Sequence, residues 1–255
     1  MLLENFAENK KPKILFFSGA GISVDSGVPT FRADNGLWLE HNVEEVCNIK
    51  NFDKHYEKTL NFYDSLRFSL ADKHYNQAHK FIAEMQMEFG SDTVGVVTTN
   101  VDEFFEEAGV KEVMHLHGNI MEMIVDYKTP SERCVRSGYE PFNYSSVKGK
   151  CKPNVVFFEE SSFYEEGYKK EIYHDFFWIL HELNESSLVF ILGASNQVVP
   201  MNYYMSGSKA KYYNINPISF NEKNDTPIKF PHEIISSSTD AIPIMRELIE
   251  KHLKG

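Results

Sequence analysis

One stretch constrains the fold of this chain more than any other: an apolar run that ends directly in a Gly-Ala-Gly turn. Ile14 to Phe17 is apolar and bounded by small residues, which predicts a buried strand. Gly19, Ala20 and Gly21 follow at once. A strand running into Gly-x-Gly is how a parallel α/β sheet presents backbone N–H groups to a phosphate. Glycine permits the close approach because no Cβ stands in the way. Gly27 and Pro29 end the next helix early, ahead of Phe31 and Arg32. The spacing is not the plain dinucleotide fingerprint, because the glycine after Gly21 is Gly27. On these residues alone, a glycine turn leaving an ordinary strand stands beside the phosphate cradle.

The rest of the chain must supply what such a sheet needs. Its 255 residues suffice for one large domain, or one domain with a smaller insertion. The formal charge of −11 repels nucleic-acid phosphate and anionic lipid and tolerates a basic, lysine-bearing partner. Solubility alone would account for the same charge. Three cysteines, Cys47, Cys134 and Cys151, are too few and odd in number for a disulfide framework. The opening MLLENFAENKKPK has acids before its lysines and no long apolar region, unlike a signal peptide. The apolar SLVFILGA is too short to span a bilayer. The expectation is a soluble protein of a reducing, cytoplasmic compartment.

Apolar residues recur at helical spacing from 52 to 90, through Phe62, Leu66, Leu70, Phe81, Met85 and Phe89. Thr93 to Thr98 is β-branched and predicts a second strand, with Thr99, Asn100 and Asp102 at its C-terminal end. Open α/β sheets bind ligands at such ends, although TNVD alone could be a helix cap. MHLHGNI then gives His115, His117 and Gly118. An imidazole titrates near neutrality and suits a general base, but a lone histidine is as readily structural. KPNVVFFEE and LVFILGAS each predict a strand, and IPIMRELIEKHL an amphipathic final helix.

Taken together, GAGISVDSGVPTFR, TTNVD, HLHG, PNVVFFEE, GAS with Val199 and Pro200, and the Asn216 of YYNINP resemble, in order, the motifs of the sirtuins. These are NAD-dependent protein lysine deacylases. The likeness spans about residues 14 to 245. It implies an α/β, Rossmann-like parallel sheet with helices on both faces and a small inserted module. The corresponding division is 1–32, 76–118 and 152–255 for the discontinuous NAD-binding domain, and 33–75 with 119–151 for the module. It further implies that Gly19, Ala20, Gly21, Ser23, Phe31, Arg32, Thr99, Asn100, Asp102, Gly193, Ala194, Ser195 and Asn216 line the cofactor. His117 would be the base on a ribose hydroxyl, with Asn100 and Asp102 beside it. Asp102 would hold the carboxamide and Phe31 would shield the reacting sugar. Nicotinamide would leave and the acyl group would end on ADP-ribose. Val155, Val156, Phe157 and Phe158 would lie along an acyl-lysine protein or peptide by strand addition. The stretch ADNGLWLEHN, with Trp38, resembles the end of a cofactor loop, and SSSTDA an adenine-side loop.

Several residues depart from the family pattern. Thr99 stands where the family has Gln, removing an amide arm from the pocket. Glu159 replaces a glycine, which would narrow the cleft or favour a basic peptide. Family members that remove acidic acyl groups carry Tyr-x-x-Arg, whereas this chain has Tyr63 and Arg67, one residue further apart. That offset turns the guanidinium by about 100° round the helix. The pair is either an acyl-binding pair or a surface Tyr–Arg pair. The family's zinc ribbon needs four N or S ligands, and residues 119–151 offer only Cys134 and Cys151. No structural metal is expected, and Tyr127, Tyr139, Phe142 and Tyr144 are expected to hold the module by packing. The lost cysteines, Glu159 and Thr99 keep a second reading open: NAD hydrolysis or transfer of ADP-ribose to a protein. A nucleotide sensor without turnover is a third, against which His117, Asn100 and Asp102 stand.

Overall fold

The computed structural model describes residues 11–30, 43–127, 134–146, 149–160 and 170–254. Six parallel strands form the main sheet in the order β3-β2-β1-β7-β8-β9. They are β1 (Ile14–Ser18), β2 (Val94–Thr98), β3 (Met114–His115), β7 (Leu188–Leu192), β8 (Lys211–Asn216) and β9 (Glu233–Ile235). β4 (Gly118–Ile124), β5 (Cys134–Arg136) and β6 (Lys152–Val155) form a separate antiparallel sheet in the order β5-β4-β6.

β1 is buried on both faces, as a central parallel strand must be. Its side chains alternate. Ile14 and Phe16 join Val94, Val96, Leu188 and Phe190 on one face. Helices α4 (Gln77–Phe89) and α7 (Ile242–Lys254) cover that face through Phe81, Ile82, Met245 and Ile249. Leu15 and Phe17 point the other way with Val97, Val189 and Ile191. Phe176 and Ile179 of α6 (Lys170–Glu182) cover this second face. The predicted helical run from 52 to 90 divides into α3 (Tyr56–Leu70) and α4, because Asn76 caps a new helix. Two four-residue turns, α1 (Val43–Val46) and α2 (Ile49–Phe52), precede α3, and α5 (Phe104–Glu107) follows β2.

Going out from β1, the chain runs β1 to β2 to β3 on one side and β7 to β8 to β9 on the other. The reversal lies between β1 and β7. In an open α/β sheet the crevice beyond the carboxyl ends at such a switch point is where ligands sit. The small sheet hangs from the same end. Leu116 still donates to Thr98 of the large sheet (2.9 Å), and two residues later Gly118 opens β4. Lys152–Val155, placed with the large domain on sequence, pairs with β4 in the small sheet. A third apolar cluster joins α3 to this sheet through Leu60, Phe62, Tyr63, Leu66, Ile120, Met123 and Phe157.

Candidate active site

The Gly19–Gly21 turn meets the turn after β7 backbone to backbone. Gly19 N–H donates to Leu192 O and Gly21 N–H to Gly193 O, each at 3.0 Å. A Cβ on Gly21 would lie 2.6 Å from Gly193 Cα, and one on Gly19 would lie 2.9 Å from Ala194 Cα. The glycines are therefore required first by the chain's own second turn, before any phosphate approaches. Gly193 takes φ 57 there. A 3-10 helix, Ala20–Ser26, leaves the turn and stops at Gly27, as the sequence predicts. The Asn76 amide at the head of α4 donates to Ile22 O (2.7 Å) and pins that helix.

Beneath the turn lies a chain of buried polar groups. The Asn100 amide donates to Ser23 Oγ (3.0 Å), and the Ser23 hydroxyl donates to Asp102 Oδ2 (3.1 Å). Asp102 Oδ1 accepts the Phe104 N–H (3.3 Å), which opens α5. Burial raises the Asp102 carboxyl to about 6, against the opposing pull of the Phe104 N–H, the His115 charge and Ser23. Ser23, Asn100 and Asp102 line a cavity of about 30 Å³ whose far wall is Leu66, Leu70 and Ile120. It is polar where it meets the sheet and apolar where it meets α3.

His117 stands at the junction of the two sheets. Its carbonyl accepts the Val156 N–H (2.9 Å), and Gly118 after it takes φ 85, a conformation that favours glycine. His115 ends β3 in register with Thr98. Its Nδ1 lies 2.9 Å from Asn100 O and its Nε2 2.8 Å from Glu106 Oε1. The third turn also converges here: Asn216 Nδ2 donates to Ala194 O (3.3 Å), while Ser195 is exposed beside it. Two buried oxygens close by in sequence have no partner among the described residues. They are Asn196 Oδ1 after β7 and Thr239 Oγ1 after β9. Unsatisfied polar groups beyond the carboxyl ends of β7 and β9, at the same edge of the sheet as the glycine turn, fit a dinucleotide with its many polar groups.

A model of the Sir2 family matches residues 19–200. A Campylobacter jejuni protein named NAD-dependent protein deacylase is 36% identical over 213 residues, covering 79% of this chain and 82% of that one. An Escherichia coli K12 protein of the same name is 29% identical over 259 residues, covering 96% and 84%. A solved Sir2 homologue–NAD complex aligns with a TM-score of 0.74 at 23% identity, covering 98% of this chain and 94% of that one.

The chain belongs to the Sir2 family.

Of the residues expected at the site, Ser23, Asn100 and Asp102 line one cavity, and others lie elsewhere. Thr99 turns its hydroxyl to Ser18 O (3.2 Å) and stays with the sheet. Tyr63 and Arg67 are not the surface pair that was one expectation, for both are buried. Nor does the one-residue offset bring Arg67 to the cavity. It lies under β4, paired with Asp64 and donating to Ile120 O (3.3 Å), and Leu66 lines the cavity instead. Tyr63 stacks on Phe157 with centroids 5.5 Å apart. Phe31, Arg32 and the stretch with Trp38 lie outside the described residues.

The segment expected to receive a peptide is already bonded within the chain. Val156 N–H goes to His117 O, Phe158 N–H to Cys47 O (2.7 Å) and Phe157 N–H to Glu160 Oε2 (2.6 Å). Val155 pairs with Gly118. Glu159 takes φ 59, so the acid occupies the left-handed conformation a glycine would hold freely, and its carboxylate pairs with Lys50.

Only two of the three cysteines, Cys134 and Cys151, lie within residues 119–151. The Cys47 thiol is buried against the Tyr63 hydroxyl (3.5 Å), and burial pushes it up to about 11, whereas zinc takes thiolates. Among the described residues no three His, Cys, Asp or Glu gather as a metal site. The module's tyrosines do more than pack. Tyr127 donates to Asp53 (2.7 Å), Tyr139 to Glu107 (2.7 Å) and Tyr144 to Asp64 (3.1 Å). Arg136 forks onto both oxygens of Glu103.

Sequence reasoning missed the largest of these ties. The Lys152 ammonium is 1% exposed and lies 3.1 Å from Glu160 Oε1, 2.5 Å from Val155 O and 4.0 Å from the Phe157 ring centre. A lysine opening an otherwise apolar strand, with a second acid behind Glu159, was the available signal.

Proposed function

We propose that this chain is an NAD-dependent protein lysine deacylase that releases nicotinamide and O-acyl-ADP-ribose, working in the cytoplasm without a structural zinc. The observation that carries the reading is the buried Asn100–Ser23–Asp102 chain at the sheet's switch point, beside the junction that holds His117. The names of its Sir2-family relatives support it. So does a surface of net charge −11, which suits a lysine-bearing substrate. Among the described residues no helix is long and apolar enough to cross a membrane. The division into a large domain of 1–32, 76–118 and 152–255 and a module of 33–75 and 119–151 goes with this reading, except that strand 152–155 pairs with the module's β4.

Bound NAD supplies the electrophilic sugar carbon and the acceptor for the acyl group. The Gly19–Ala20–Gly21 turn, with Gly193, Ala194, Ser195 and Asn216, holds its phosphates and adenosine. Asp102 would accept from the carboxamide, and through Ser23 it fixes the Asn100 amide, which would act on the ribose side. His117, in its neutral form, takes the proton from a ribose hydroxyl at a ring nitrogen. The acyl chain meets Leu66, Leu70 and Ile120, an apolar wall that suits uncharged acyl groups.

Incubating the protein with NAD and a panel of acyl-lysine peptides, and weighing the products, tests the reading. O-acyl-ADP-ribose supports it. Free ADP-ribose or a labelled protein would support the NAD hydrolase or ADP-ribosyltransferase reading instead. His117→Ala is expected to lower kcat about 10²- to 10⁴-fold. Unchanged nicotinamide release in that variant removes the histidine from the chemistry.

A further inference from the structure

His115 has an arrangement that the deacylase reading leaves unused. Its ring is half-buried at the end of β3, and each nitrogen faces an oxygen that accepts. The Asn100 carbonyl has no proton to give. The Glu106 carboxylate has one only when protonated, and an imidazole holds a proton more tightly than a carboxylate does. A neutral ring would set one nitrogen lone pair against an oxygen lone pair at under 3 Å. Both contacts are satisfied together only when both nitrogens carry hydrogen.

Every charged group around the ring favours that state. Glu106 comes from α5, where Glu107 receives the Tyr139 hydroxyl, and Glu103 just before the helix is neutralised by Arg136. Asp102 lies in the segment after β2 and interacts with the same ring. The ring's basicity is raised by Glu106, the Asn100 carbonyl and Asp102, against the opposing effect of burial. His117, two residues on, is the other titratable group of its own segment.

We propose that His115 is a positioning residue for the reaction: a doubly protonated ring that clamps the Asn100 carbonyl between β2 and α5 and sets the alkaline limit of activity. Asn100 is held from both ends, its carbonyl by His115 and its amide by Ser23. Burial raises the Asp102 carboxyl, and the same positive charge opposes that rise. When the ring loses its proton, one end of Asn100 is released. Activity then falls as pH rises, while protonation of His117 removes it as pH falls.

The inference rests on the deacylase reading for its kinetic half only. Two measurements on the full chain test it: the pH profile of kcat/KM for NAD-dependent nicotinamide release, and the His115 ring titration by NMR. Both are made on the wild type and on Glu106→Gln. The wild-type ring should titrate above the ordinary 6.5. Glu106→Gln should lower that midpoint by about one pH unit and carry the alkaline limb down with it, leaving the acid limb in place. His115→Gln, which keeps one donor, should lose the limb altogether. A wild-type ring that titrates at or below 6.5, or an alkaline limb unmoved in Glu106→Gln, overturns the clamp. A chain that consumes no NAD at any pH defeats the deacylase reading instead, and the ring titration still decides the clamp.

Discussion

Around β1 and β7 the chain touches itself backbone to backbone, and the contact works because Gly21 and Gly193 present no side chain. In the small sheet the contacts run between charged or hydroxyl-bearing side chains: Lys152 with Glu160, Arg136 with Glu103, and three tyrosines with three acids. The first region tolerates no added atom. The second tolerates shape changes but no loss of a charge partner. A binding turn for a fixed ligand can be built from main chain alone, because every chain has one. A module without four metal ligands has to be tied by whatever side chains are at hand. Those ties differ in strength with burial, from the enclosed Lys152 to the exposed Arg136.

Three measurements break or sharpen that contrast. Lys152→Met leaves the Glu160 carboxylate buried without its partner, and should cost about 3–5 kcal/mol in urea unfolding. A loss below 1 kcal/mol would mean that the module is held by its aromatic packing after all. Gly21→Ala forces a Cβ onto the Gly193 backbone and should cost about 3 kcal/mol, with NAD binding weakened in step. If it unfolds like the wild type, the two turns are not in tight contact.

Asp102 lies between the two regions, and its effect has the opposite sign. Its carboxyl goes from 3.8 to about 6 on folding. Between those values the folded chain keeps a proton that the unfolded chain has released, so stability falls as pH rises through the window. Above it the whole loss is in place. Asp102→Asn should therefore stabilise the fold by about 3 kcal/mol at pH 8 and by nothing below about pH 4, while abolishing NAD turnover. Equal stability of the two proteins at pH 8 would show that the carboxylate is not under strain.

The polar half of the site was legible in the sequence because it is local. Gly19 to Ser23 and Asn100 to Asp102 each follow a strand directly, and a strand end fixes where the next few residues go. What was not legible depended on distance along the chain. The role of Gly21 became clear only with Gly193 beside it, 172 residues on. Arg67 looked like a surface or substrate residue because its neighbours from β4 could not be foreseen. Glu159 reads as a misplaced acid until its left-handed backbone and Lys50 are seen together. The Lys152–Glu160 tie was hidden because both residues belong to types that seldom lie inside a protein.

The placement of β1 has a consequence for how the molecule is made. Ile14 pairs with Val94 on one side and with Leu188 on the other. The amino-terminal strand therefore leaves the ribosome long before its second neighbour exists. Until β7 is synthesised, its apolar edge is open and the glycine turn has nothing to close against. Pairings this distant are slow to form and leave partly built sheets prone to stick to one another. Closure of the sheet waits for the synthesis of β7, and chaperone demand should peak just before it.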